Sequence, residues 1–130
     1  MSTIIDALHA KDNLNFGKGC SEAEIGEAEK TLRVTFAKEY REYLLKFGIV
    51  AYDGHELTGI SNTDRLNVVS STLSEREINP SVPEDMYVIE KTNMDGVIIW
   101  QRETGEIFCS QLGKTPVQCF DSLTEFVTRL

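Results

Sequence analysis

The sequence is short of cations. Its 130 residues carry 13 Lys and Arg against 21 Asp and Glu, a formal net charge of −8. Neutralising a phosphate backbone requires a surplus of Lys and Arg, so direct nucleic-acid binding is not expected. The same shortage argues against adhesion to an anionic membrane. No apolar stretch approaches the length that spans a bilayer. Met1 to Ala10 lack the basic segment and apolar run of a signal peptide. The three cysteines, Cys20, Cys109 and Cys119, form no CxxC pair and no metal-ligand spacing. An odd count in a chain large enough to fold without bridges suits a reducing cytoplasm.

Catalytic signatures are missing as well. There is no GxSxG elbow for a nucleophilic serine. There is no GxGxxG or Walker loop; Gly17-Lys18-Gly19 is not preceded by a strand pattern. His9 stands on a helical stripe without an acid or cysteine at ligand spacing. His55 lies beside Asp53 and Glu56, but a metal site needs three or four converging ligands, so it reads as a solvated turn histidine. Cysteine catalysis needs a partly exposed thiolate near a histidine. Cys109 and Cys119 instead sit in apolar strand patterns, where a thiol behaves as a small hydrophobe. If their hairpin centres on Lys114, the two fall opposite each other. A cross-strand disulfide is then open to them, although a reduced pair is expected in a cytosolic protein. No metal or cofactor is expected.

What is present is the patterning of one α+β domain over residues 1–130. Ile4, Ile5 and Leu8 form a one-turn stripe, and Asp12 to Gly19 read as a loop. Ser21 and Glu24 make a capping box ahead of Ile25, Ala28 and Leu32. Tyr40, Tyr43, Leu44 and Phe47 recur at i, i+3, i+4, i+7, and Gly48 closes that helix. Residues 49–60 read as short strands around the Asp53-Gly54 turn. Residues 61–85 are mostly polar, and the periodicity does not decide whether Asn67 to Val69 begin a helix or a strand. From Met86 the chain reads as an antiparallel meander with turns at Asp95-Gly96, Thr104-Gly105 and Gly113. A last helix, with Ser122 and Glu125 as a second capping box, places Leu123, Phe126, Val127 and Leu130 against the sheet. Phe108 and Phe120 read as sheet–helix core, and Trp100 as a core strand residue. Tyr52, beside a turn, reads as exposed.

The charge divides unevenly. Residues 1–48 hold eight acids and seven bases; residues 49–130 hold thirteen acids and six bases. The second part thus carries a net of −7. Such a surplus serves solubility, or it forms a surface for a basic partner.

The stretch SEAEIGEAEKTLRVTFAKEYREYLLKFG followed by IVAYDGHELTGI resembles the SUKH superfamily. These are bacterial immunity proteins related to a fungal cell-wall-synthesis regulator. Ile25, Glu29 and Leu32 match the family's acidic helix. Tyr40, Leu44 and Gly48 match its Tyr-x-x-Leu-Leu helix. Gly54, Glu56, Leu57 and Gly59 match its Gly-x-Glu-apolar-x-Gly segment. The Thr104-to-Ile107 turn and the closing helix also agree. Two positions depart from the pattern: Arg33 stands where the family has glycine, and Ala37 where it has proline.

The resemblance implies a non-enzymatic cytoplasmic protein with helices first, then an antiparallel meander, then a helix. It would bind a cognate secreted toxin, a nuclease by preference, and inhibit it stoichiometrically. A basic toxin would be steered to the acidic half. The groups expected to carry the contact are Tyr52, Asp53, Glu56, Asp64, Glu103 and Glu106. The other reading is a general adaptor module of the same fold.

Overall fold

The computed structural model describes residues 3–92, 94–112 and 114–130. Helix α1 (Thr3–His9) is followed by a two-residue strand β1 (Asn15–Phe16) inside the stretch expected to be a loop. Helix α2 (Glu22–Leu32) starts on the expected capping box, with both reciprocal bonds made. Helix α3 (Lys38–Phe47) buries Tyr40, Tyr43, Leu44 and Phe47 and stops at Gly48, whose φ is 76°. Strands β2 (Val50–Tyr52) and β3 (His55–Leu57) form a hairpin beside β1, in the order β1-β2-β3. A 3₁₀ turn (Asp64–Leu66) leads into α4 (Val68–Ile78). Strands β4 (Tyr87–Lys91), β5 (Ile98–Gln101), β6 (Ile107–Ser110) and β7 (Val117–Phe120) form the antiparallel meander β4-β5-β6-β7. Helix α5 (Leu123–Arg129) closes the chain.

The main core lies between α1, α2, α3, α5 and the inner faces of both sheets, with Val68 of α4 at its side. Its centre is an aromatic stack of Phe36, Tyr40, Tyr43 and Tyr87, with ring centroids 4.8 to 5.3 Å apart. Thr58 joins the two sheets. Its amide donates to the Ile89 carbonyl at 2.8 Å and its hydroxyl to the Val88 carbonyl at 2.7 Å. The Tyr43 hydroxyl donates to the Thr58 carbonyl at 2.6 Å. A smaller cluster of Val82, Met86, Val88 and Trp100 covers the outer face of the meander. Phe108 packs there, beneath the Arg102 guanidinium at 5.0 Å, rather than in the sheet–helix core. Strand alternation puts it opposite Ile107 and Cys109.

Helix α4 settles the segment whose periodicity was ambiguous. Asn67 caps it through the amides of Val69 and Ser70. Its buried side holds one apolar residue, Val68, beside the hydroxyls of Ser71 and Thr72. The Thr72 hydroxyl accepts the Val88 amide at 2.9 Å, and Ser71 donates to the Arg65 carbonyl at 3.1 Å. Leu73 and Ile78 face solvent. A helix anchored by hydroxyls has no apolar stripe to be read.

Two further expectations are corrected. The second capping box is only half formed: Ser122 accepts the Glu125 amide, but the Glu125 carboxylate accepts the Asp121 amide at 2.8 Å, one residue earlier than expected. Cys109 pairs in register with Val117 and not with Cys119, because a bulge makes Cys119 the extra residue of β7. The two sulfurs are nevertheless joined in a disulfide, where a reduced pair was expected. The Cα separation across the bulge, 6.3 Å, lies within the range a disulfide spans.

Candidate interaction face

Four of the six expected contact residues fall near one edge of the molecule, and the sequence order explains why. The β2–β3 hairpin turns at Asp53-Gly54, with φ values of 45° and 84°. This places Tyr52 and His55 opposite each other and Glu56 opposite Ala51. Strand alternation then sends Tyr52 inward and Glu56 outward. Tyr52 is 2% exposed, so it is a core residue rather than the exposed anchor expected from its turn position. Its ring lies 5.2 Å from that of His55 and under the Lys11 ammonium at 5.1 Å. Its hydroxyl is buried with no hydrogen-bond partner among the described residues. Burial pushes its ionisation well above the ordinary tyrosine range, with Glu90 and Asp53 adding to the shift.

Asp53 is exposed, and the Asn13 amide donates to it at 3.3 Å. Asp64 is exposed at the start of the 3₁₀ turn, next to Arg65. Arg65 donates to both carboxylate oxygens of Glu56. That hydrogen-bonded pairing holds the Glu56 carboxyl below its usual value and raises the Arg65 guanidinium. Three clefts of about 250, 190 and 170 Å³ share Glu56 in their walls. The first is floored by Phe16, Ala51 and Leu66; the second lies between Arg65 and Lys91; the third runs from His55 to Met94. Phe16 is 58% exposed and Met94 72%. The surface around Glu56 is therefore indented, with the exposed apolar side chains of Phe16 and Met94 on either side of a carboxylate–guanidinium pair.

Glu103 and Glu106 are not part of it. They occupy the β5–β6 turn, at the end of the meander remote from the Lys91–Ile98 register pair. Glu106 accepts from the Thr104 hydroxyl and from Arg102 at 3.5 Å. With its own backbone amide, these hold its carboxyl down to about 2.

One functional-looking pair was not visible in the sequence. Glu90, 4% exposed, faces His55 at 3.1 Å and accepts the Glu56 amide at 3.1 Å. His55 is thus a half-buried strand residue paired with a carboxylate, not a solvated turn histidine. The only signal was an acid within the apolar run of β4. Chemically the pair is a His–carboxylate dyad with no serine, threonine or cysteine hydrogen-bonded to it among the described residues. A hydrolytic site also needs a nucleophile and oxyanion donors. Glu90 instead accepts the Glu56 amide and so links β3 to β4, which lie in separate sheets. Among the described residues no three His, Cys, Asp or Glu side chains are grouped to hold a metal. No helix among them is long and apolar enough to cross a membrane.

The SMI1-KNR4 cell-wall family, SUKH_5, matches residues 1–130. The chain belongs to this family. No curated protein matches it. The SUKH assignment gives the two departures from the pattern a structural meaning. Arg33 takes the left-handed conformation, φ 58°, at the end of α2, where its amide and that of Val34 close the helix. Ala37 has a proline-like φ of −59°, but its amide donates to the buried Tyr87 hydroxyl at 2.8 Å. A proline there would leave that hydroxyl without a donor.

Proposed function

We propose that this SUKH chain is a cytoplasmic immunity protein that binds a cognate secreted toxin domain, a nuclease by preference, and blocks it stoichiometrically. The observation that supports this most is the outer face of the β1–β3 sheet. There Glu56 lines clefts carrying exposed Phe16 and Met94, and the exposed Asp53 and Asp64 adjoin the lining residues Gly54 and Arg65 in sequence. Interfaces of this kind combine an apolar centre with a polar rim. An acidic rim on a chain of net charge −8 draws a basic partner by long-range attraction. The action is occlusion: the immunity protein covers the toxin's cleft and performs no chemistry. Glu103 and Glu106, at the far turn, extend the field without sharing the contact.

The test is to co-express the chain with the toxin domain encoded beside its gene, then measure association at low and high salt. Rescue of growth, co-purification, and an association rate about tenfold lower after Asp53→Lys with Glu56→Lys are expected. An affinity indifferent to both salt and charge reversal overturns the electrostatic reading. Failure of every neighbouring toxin domain to bind overturns the immunity reading.

A further inference from the structure

A larger concavity than those around Glu56 lies elsewhere, between α2 and the start of α4. It has a volume of about 420 Å³ and shares no lining residue with the clefts around Glu56. Ala23 and Ala28 on α2, with Ile60 and Val69, make its floor, and Glu24 and Glu27 stand in its walls. No lysine or arginine lines it. One turn beyond Val69, on the same stripe of α4, is Leu73, 43% exposed. Helix α4 therefore turns Leu73 to solvent beside the groove while it buries Val68, Ser71 and Thr72. Two 11-residue helices with small residues between them leave a trough of the kind that accepts a third helix.

We infer that the α2–α4 groove is a docking site for an amphipathic, basic helix of a protein partner. That helix would insert apolar side chains spaced one turn apart against Ala28, Ile60 and Val69. Its flanking Lys or Arg would reach Glu24 and Glu27. The two acids and the absence of any lining cation select a basic occupant over a second copy of this chain, which itself has a net charge of −8. The inference stands apart from the immunity reading, since it does not require that the partner be a toxin.

The probe is a synthetic four-turn peptide with leucines one turn apart flanked by lysines, titrated into the isotope-labelled full chain and followed by NMR. Amide shifts confined to α2, Ile60 and the first two turns of α4 are expected. Glu27→Lys and Leu73→Lys, both exposed substitutions, should each weaken binding about tenfold. Asp85→Lys, an exposed acid outside the groove, should leave it unchanged. The proposal is overturned if no binding occurs. Shifts spread over the whole acidic surface, with Asp85→Lys as damaging as Glu27→Lys, would also overturn it. So would equal binding of a peptide with glutamates in place of lysines. A dimer of the chain itself that Leu73→Lys dissolves would assign the groove to a second copy and equally overturn it.

Discussion

Gly59 and Gly48 bring two backbone segments closer than any side chain would permit. A Cβ on Gly59 would stand 1.6 Å from the Gly48 carbonyl oxygen; one on Gly48 would stand 2.2 Å from that of Lys18. Both glycines belong to the family pattern, and contact between backbones is the physical reason for them. Gly59→Ala must push backbone away from backbone, with no flexible side chain to absorb the shift. It should lower stability by roughly 3 kcal/mol, seen as a lower urea midpoint at unchanged slope. Arg33 is the converse case. Its left-handed φ of 58° costs a residue with a Cβ about 1 kcal/mol, whereas glycine adopts it freely. Arg33→Gly restores the family residue and should raise stability by about that amount in the same titration. An unchanged midpoint would show that the Arg33 side chain offsets its own strain.

The elements that were legible share one property: the signal for each lay within a few residues. Helix α3 declared itself by its aromatic stripe and terminal glycine, and the meander by its turns at Asp95-Gly96 and Thr104-Gly105; Gly113 lies outside the described residues. Asp95-Gly96 indeed carries φ values of 54° and 68°. What the sequence hid depends on distant partners. Helix α4 is held by hydroxyls that bond to β4 and to the 3₁₀ turn. Strand β1 exists only as a partner for Val50 and Ala51. Of the expected contact residues, Asp53 and Asp64 are exposed as their turn positions suggest, while Glu56 stands in the middle of β3. Tyr52 was misplaced because strand alternation overrides closeness to a turn, and Glu90 was missed because its partners come from β3. The same long-range logic governs the polar line through the core. The Ala37 amide donates to the Tyr87 hydroxyl, which donates to Gln101 at 3.0 Å; Gln101 in turn donates to the Gly105 carbonyl at 2.9 Å. It ties the start of α3 to the β5–β6 turn. Tyr87→Phe removes the central link and leaves a buried donor and a buried acceptor unpaired. The expected loss is about 2 kcal/mol, more than one ordinary hydrogen bond, because two partners are orphaned. Hydrogen exchange at Ala37 should accelerate with it; a variant as stable as the parent would show that water replaces the hydroxyl.

Across the whole molecule the ionisable groups divide by burial, and their linkage to folding has opposite signs at the two ends of the pH scale. Glu56 and Glu106 have carboxyls lowered in the folded state by hydrogen bonds from Arg65 and Thr104 respectively. Their contribution is present above the ordinary glutamate range and fades as pH falls, for Glu106 toward about 2. Glu39 runs the other way: burial raises its carboxyl, so protonation relieves a cost and partly offsets that loss. At the alkaline end the tyrosines act together. All four tyrosines, Tyr40, Tyr43, Tyr52 and Tyr87, are buried, and burial is the first cause of a raised ionisation in each. A group raised in the folded state stabilises it fully below the unfolded value near 10. That stabilisation is lost as pH climbs beyond it. Because each phenol must leave the core to ionise, tyrosinate absorbance and loss of helical circular dichroism should rise together, in one cooperative step above pH 10. Tyrosines that titrate near 10, one after another with the helical signal intact, would mean that this aromatic core opens locally without unfolding the chain.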